Sequence, residues 1–133
     1  MLYELSVNTA FKGYPSITAD VERIVTQSGV KEGFCIISAP HTTAALAITS
    51  FWDKRGLDDL MDEIDRNFPT RVSYKHQDSP YDASGHVKSS SIGTSKMLII
   101  QDGKLVLGSS QGIVLLEFDG PRPRKVFINI VEA

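Results

Sequence analysis

The sequence predicts an α+β fold in a single compact domain, residues 1–133, with a mostly antiparallel or mixed β-sheet and two main helices. Three observations carry this expectation. Short runs rich in Ile, Leu, Val and Phe recur between Gly, Pro and Asp residues, as half-buried strands require. Only two segments show the apolar period of a helix. Helical and strand segments do not alternate strictly, which argues against a doubly wound parallel sheet. A chain of 133 residues can bury one core and is too short for two independent ones.

Each element follows from its local pattern. "LYELSVNT" opens as a strand. In "SITADVERIVTQSGV", Ile17, Val21, Ile24 and Val25 fall on one helical face, Thr18 offers an N-cap hydroxyl, and Gly29 stands where a left-handed C-terminal residue is wanted. "GFCIISAP" and "TAALAIT" read as strands around a polar corner. In "DKRGLDDLMDEIDRNFP", Leu57, Leu60, Met61, Ile64 and Phe68 form the apolar stripe of a second helix, acidic residues fill its solvent side, and Pro69 stops it. The segment "YKHQDSPYDASGHVKSSSIGTS" has no such stripe and reads as a long polar connection ending in a serine-rich loop or strand edge. "KMLIIQ" and "KLVLGS" are strands joined by Asp102-Gly103, a hairpin signal because both central turn positions need positive φ. In the closing strands, "GIVLLEFD" and "RKVFINIVEA", the stretches "GIVLLEF" and "VFINIV" are apolar on both faces. That calls for central strands or for a surface covered by another subunit.

A net charge of -2 and a pI near 5.9 argue against general binding to nucleic acid or membrane surfaces, which favours basic patches. No apolar run reaches the roughly 18 residues of a membrane span, and the N-terminus lacks the basic and apolar regions of a secretory signal. A cytoplasmic location is expected. The lone Cys35 cannot form an internal disulfide, in keeping with a reducing compartment, and its place in "GFCIIS" suits a small buried side chain.

Three polar clusters fall at or near strand ends, where a scaffold presents functional side chains. "PHTTAA" carries His41, Thr42 and Thr43; the long polar segment carries His76 and His86; "GSSQG" and "EFDGPRPR" supply Gln111, Glu117, Asp119, Arg122 and Arg124. Three imidazoles from separate loops can hold zinc with one position open for water or substrate. They can equally be three hydrogen-bonded surface histidines, since the spacing of His76 and His86 fits no compact zinc motif. Lys88 and the serine hydroxyls beside it suit an anionic ligand or, as readily, a solvated edge. Arg122 and Arg124 can clamp a phosphate or carboxylate, or cap a strand edge beside Asp119. Glu117 and Asp119 can serve as general base or as partner to a histidine, and Asp119 before Gly120-Pro121 also suits a turn.

Taken together, "HTTAAL", "YKHQD", "GHVKSSSIGTS", "DGKLVLGSSQGI" and "EFDGPRPRKV" resemble the YjbQ family, also called the secondary thiamine-phosphate synthase family, in order from His41 to the C-terminus. The resemblance implies a compact α+β fold assembled as a homotrimer. It also implies a polar site gathering His41 with Thr42, His76, and His86 with Lys88, Ser89 and Ser90. A zinc or similar divalent ion at His41, His76 and His86 follows from the same likeness, with magnesium an alternative if a diphosphate is the substrate. The family name implies coupling of a pyrimidine diphosphate to a thiazole phosphate. In that chemistry Lys88, Ser89, Ser90, Gln111, Arg122 and Arg124 would hold the phosphorylated small molecule. Two rivals stand beside it: metal-assisted hydrolysis of a small phosphorylated or acyl substrate with Glu117 or Asp119 as base, and metal or anion binding without catalysis. The chain departs from the family pattern at Thr49-Ser50, where Asn-Glu is usual, and at Ser110, where tryptophan is usual.

Overall fold

The computed structural model describes residues 1–71, 73–76 and 79–133, so Gln77 and Asp78 of the "YKHQD" block lie outside the described residues. The elements run β1 (Leu2–Asn8), α1 (Thr18–Ser28), β2 (Gly33–Ser38), β3 (Ala44–Ser50), α2 (Lys54–Asn67), α3 (Pro80–Ile92), β4 (Ser95–Gln101), β5 (Lys104–Leu105), β6 (Gln111–Glu117) and β7 (Pro123–Glu132). β1, β7, β2, β4 and β5 form one sheet in that order, and β3 pairs with β6 in a second. Every strand pairing is antiparallel, which resolves the expected choice between antiparallel and mixed.

The two sheets and a helix make three layers with apolar side chains between them. The inner face of the large sheet, carrying Cys35, Ile37, Val126, Ile128 and Ile130, meets Val21, Ile24 and Val25 of α1 and Leu46, Ile113 and Leu115 of the small sheet. Val114, Leu116 and Phe118 point the other way, against Ala45 and against Leu57 and Ile64 of α2. β6 is therefore apolar on both faces because the chain covers both of them, and no second subunit is needed to explain it. β7 lies between β1 and β2, the expected central position, and one of its faces is covered within the chain: Val126, Ile128 and Ile130 are buried, whereas Phe127 and Val131 are half-buried and Asn129 is exposed. The outer face of the large sheet remains apolar, with Met97 63% and Ile99 62% exposed beside Ile36.

Both predicted helices are present, and Gly29 closes α1 in the left-handed region at φ 72. The cap at the other end is corrected. Ile17 holds the N-cap position, and Thr18 turns its Oγ1 to accept the Ile113 N–H at 2.8 Å, so its hydroxyl ties α1 to β6. Asp53 caps α2 by accepting the Arg55 N–H at 2.9 Å. The hairpin residues Asp102 and Gly103 take φ 53 and 77, as the turn demands. Only Lys104 and Leu105 of "KLVLGS" form strand.

The largest correction is α3, a third helix where a polar loop or strand edge was expected. Ser79 accepts the Asp82 N–H at 3.3 Å and starts it. Its packing explains the missing apolar stripe. Apart from the buried Lys88, the inward side chains are small, Ala83, Ser84 and Ser89 with Gly85, so the helix lies close against β3. A Cβ at Gly85 would stand 3.1 Å from Thr43 Cγ2, and Ser89 Oγ donates to the Ala44 carbonyl at 2.7 Å. Ser89→Ala is expected to lower unfolding free energy by about 1 kcal/mol in a urea titration, the usual net worth of one buried hydrogen bond.

Candidate functional site

The corner between β2 and β3, the N-terminal half of α3 and the approach to β7 enclose a cleft of about 520 Å³. His41, Thr42, Thr43, Asp82, Arg122 and Arg124 line it. A neighbouring hollow of about 400 Å³ shares His41, Thr42 and Thr94 and adds His86, Ser89 and Ser90. Folding thus brings most of the polar residues singled out in the sequence to one side of the molecule.

The histidines are only partly united. His76, Asp82 and His86 each offer a ligand atom, and these atoms lie within 4.8 Å of one another. His76 Nε2 is 2.7 Å from Asp82 Oδ2, and His86 Nε2 is 3.4 Å from Oδ1 of the same carboxylate. The two imidazoles stack with centroids 5.1 Å apart. The hydrogen bond from His76 prevails over burial and, with the nearby charges of His86, His76 and Arg122, holds the Asp82 carboxyl below its usual pKa. Asp82 is not among the sequence candidates. Its signal is the i, i+4 spacing to His86, which carries meaning only once the segment is known to be helical.

Of the expected three-histidine centre, His76 and His86 come together, while His41 is placed beside them on the same hollow. The His41 Nε2 lies against the Lys125 backbone, 2.9 Å from the amide nitrogen and 3.0 Å from the carbonyl oxygen, so this atom is engaged in either tautomer. Burial and the Arg124 charge push the His41 pKa below its usual value, which keeps the ring neutral at pH 7. His41 stands on the cleft wall beside the cluster and is not a member of it.

Glu117 is also corrected as a candidate base. It is 0% exposed and accepts from Thr9 Oγ1 at 2.6 Å, from the Asp119 N–H at 3.1 Å and from Arg124 Nε at 2.7 Å. Burial pushes its carboxyl up, but these hydrogen bonds outweigh burial and hold the pKa below normal. The group is an ionised partner for a buried guanidinium and is shut off from any substrate proton. Asp119 accepts from Arg122 Nη2 at 2.8 Å on the cleft rim, so those two partly neutralise each other.

Two expected phosphate ligands lie elsewhere. Lys88 is 2% exposed, and its ammonium donates to Asp65 of α2, which also pairs with Lys12 at 3.1 Å. A buried, paired ammonium is a tether between helices. Gln111 begins β6 and Glu117 ends it, about 20 Å apart along an extended strand. Its Oε1 accepts the Gly108 N–H at 2.8 Å. Ser89 is occupied with Ala44, whereas Ser90 is exposed at the edge of the hollow.

The two departures from the family pattern prove to be neighbours. Thr49 and Ser50 face Gly112 and Gln111 across the small sheet, at its end away from Glu117. Trp52 donates its indole N–H to the Ser109 carbonyl at 3.1 Å and stacks on Phe51. An aromatic group from the β3–α2 corner therefore lies against Ser109, next in the chain to Ser110, which stands where tryptophan is usual.

The family model of UPF0047 protein YjbQ-like matches residues 3–133. The chain belongs to the YjbQ-like UPF0047 family. A UPF0047 protein of Methanocaldococcus jannaschii is 37% identical over 86% of this chain and 82% of its own, and YugU of Bacillus subtilis is 34% identical over 86% of each. Among solved structures, a YbjQ-like protein of unknown function from Sulfolobus solfataricus superposes with a TM-score of 0.93 at 32% identity, covering 100% of this chain and 97% of that one. A yjbq/upf0047 family protein from Clostridium acetobutylicum gives 0.90 at 39% identity, with 97% and 99% covered. The YjbQ-like fold is thus shared along the whole chain, α3 and the cleft-forming segments included. Among the described residues no helix is long and apolar enough to cross a membrane.

Proposed function

We propose that this chain holds a divalent metal ion, zinc first, on His76, Asp82 and His86, and acts on a small phosphorylated molecule in the adjoining cleft. The observation that carries this reading is the convergence of two imidazoles and a carboxylate within 4.8 Å. Zinc takes histidine nitrogen and carboxylate oxygen at about 2.0–2.2 Å, and three protein ligands with one open position suit catalytic zinc. An ion there would supply a Lewis acid for a phosphoryl or carbonyl oxygen. The chain's own contributions are the neutral His41 on the cleft wall, the Thr42 hydroxyl and the rim guanidinium of Arg122, which orient the substrate and balance its charge.

Coupling a pyrimidine diphosphate to a thiazole phosphate is the reaction that the family resemblance suggests. Hydrolysis is favoured by a specific observation: among the described residues no Phe, Tyr or Trp side chain lines the cleft or its neighbour, so neither offers a broad platform for two stacked rings. Elemental analysis of the purified protein is the test. Near-stoichiometric metal in the wild type and in His41→Ala, lost in His86→Ala and Asp82→Ala, is expected. Metal lost in His41→Ala but kept in Asp82→Ala would restore the three-histidine centre. No metal in any protein after refilling would overturn the reading. Product from a simple phosphate ester, without a thiazole partner, would select hydrolysis.

The homotrimer suggested by the resemblance is proposed to use the outer face of the large sheet, where Met97, Ile99 and Ile36 form an exposed apolar surface. Light scattering should give a trimeric mass for the wild type and a monomeric mass for Met97→Lys with Ile99→Lys. An unchanged mass would place the contact elsewhere.

A further inference from the structure

Arg124 is 5% exposed, yet the protein satisfies only part of its guanidinium. Nε and Nη2 donate to the two oxygens of Glu117, and Nη2 also donates to Thr43 Oγ1 at 2.7 Å. Nη1 has no acceptor among the described residues. Among those residues no fully buried side-chain nitrogen or oxygen lacks a partner, so Nη1 keeps some open surface, and Arg124 is a lining residue of the cleft. Thr43, buried at the same place, accepts from Arg124, and its own hydroxyl proton has no acceptor among the described residues.

We propose that Arg124 Nη1 and the Thr43 hydroxyl form a pair of donors in the wall of the cleft that anchors the phosphate group of a small phosphate monoester. The inference rests on the reading that the cleft takes a phosphorylated molecule, and it names the atoms that recognise it. Glu117 is the positioning residue. Its two oxygens hold the guanidinium in a fixed fork, and Thr9 holds Glu117, so the free donors are ordered before a ligand arrives. Because Glu117 also cancels the charge of Arg124, the anchor selects by hydrogen-bond geometry more than by net charge. A tetrahedral phosphate can accept from both donors and keep oxygens over for Thr42 and for the rim. In the metal-free protein the Asp82 carboxylate lines the same cleft and repels an anion from its own end, which directs the phosphate toward Arg124.

The test is a titration of chelator-treated, 15N-labelled protein with inorganic phosphate, followed by amide NMR. Shifts centred on Thr42, Thr43 and Arg124 are expected. Arg124→Lys keeps a cation for Glu117 but loses Nη1, and Thr43→Val keeps the packing against Gly85 but loses the hydroxyl. Each should weaken phosphate binding about tenfold, the loss of one good hydrogen bond, while Arg23→Gln, on the exposed side of α1 away from the cleft, binds as the wild type. If Arg124→Lys does not fold, Thr43→Val decides. Unchanged binding in the folded variants, shifts centred elsewhere, or no binding by the wild type would overturn the proposal. Acetate binding as well as phosphate would overturn the phosphate assignment. His86→Ala should still bind phosphate in the absence of metal, so loss of the metal centre and loss of the anion anchor are read separately.

Discussion

Glu117→Gln is expected to lower the free energy of unfolding by about 3–5 kcal/mol, the cost of leaving a buried charge without its partner. Arg124 is held by both oxygens of Glu117 inside the wall between the small sheet and β7, and Gln can neither neutralise the guanidinium nor accept on both sides. A urea titration of both proteins measures the loss. The double variant Glu117→Met with Arg124→Met should recover much of it, since apolar pairs of similar volume often replace buried ion pairs without loss. The same pair sets an acid limit. The folded Glu117 carboxyl lies below its unfolded value, so its contribution is fully present above the ordinary glutamate pKa and is lost as pH falls through the folded one. Stability measured from neutral pH downward should fall more steeply in the wild type than in Glu117→Gln. Parallel curves would show that Glu117 carries no such linkage.

Lys88→Ala is expected to cost about 2–5 kcal/mol, as for other long buried side chains cut back to alanine. The stem of Lys88 fills space near Phe118, its ammonium 5.9 Å from the ring, and its head pairs with Asp65 across the gap to α2. Lys88→Met keeps the volume and removes the charge, leaving Asp65 its pairing with Lys12 at the half-exposed edge. It should cost far less than Lys88→Ala and bind phosphate as the wild type does. Loss of phosphate binding in a folded Lys88→Met protein would return Lys88 to the ligand set and contradict its role as a tether.

Much of the candidate site is legible in the sequence, though not its wiring. His76, His86, Thr42 and Arg124 stand out there because they lie in polar clusters that interrupt the apolar strand patterns. Asp82 does not stand out, because its meaning depends on α3. That helix lacks an apolar stripe, since it packs largely through small residues at close range, and four serines and Gly85 lower its helical propensity. Lys88 and Glu117 mislead for one shared reason. A charged residue in sequence suggests solvent or ligand, and only packing shows that Asp65 and Arg124 lie opposite them.

Periodicity and turn chemistry alone determined the two amphipathic helices, the Asp102-Gly103 hairpin and the buried strands, because each follows from interactions within a few residues. The tertiary structure alone decided the third helix, the placing of Asp82 against His76 and His86, and the pairing of Lys88 with Asp65 and of Arg124 with Glu117. Those outcomes depend on contacts such as Arg124 with Thr43, 81 residues apart, and Thr9 with Glu117, 108 apart, which no local pattern encodes.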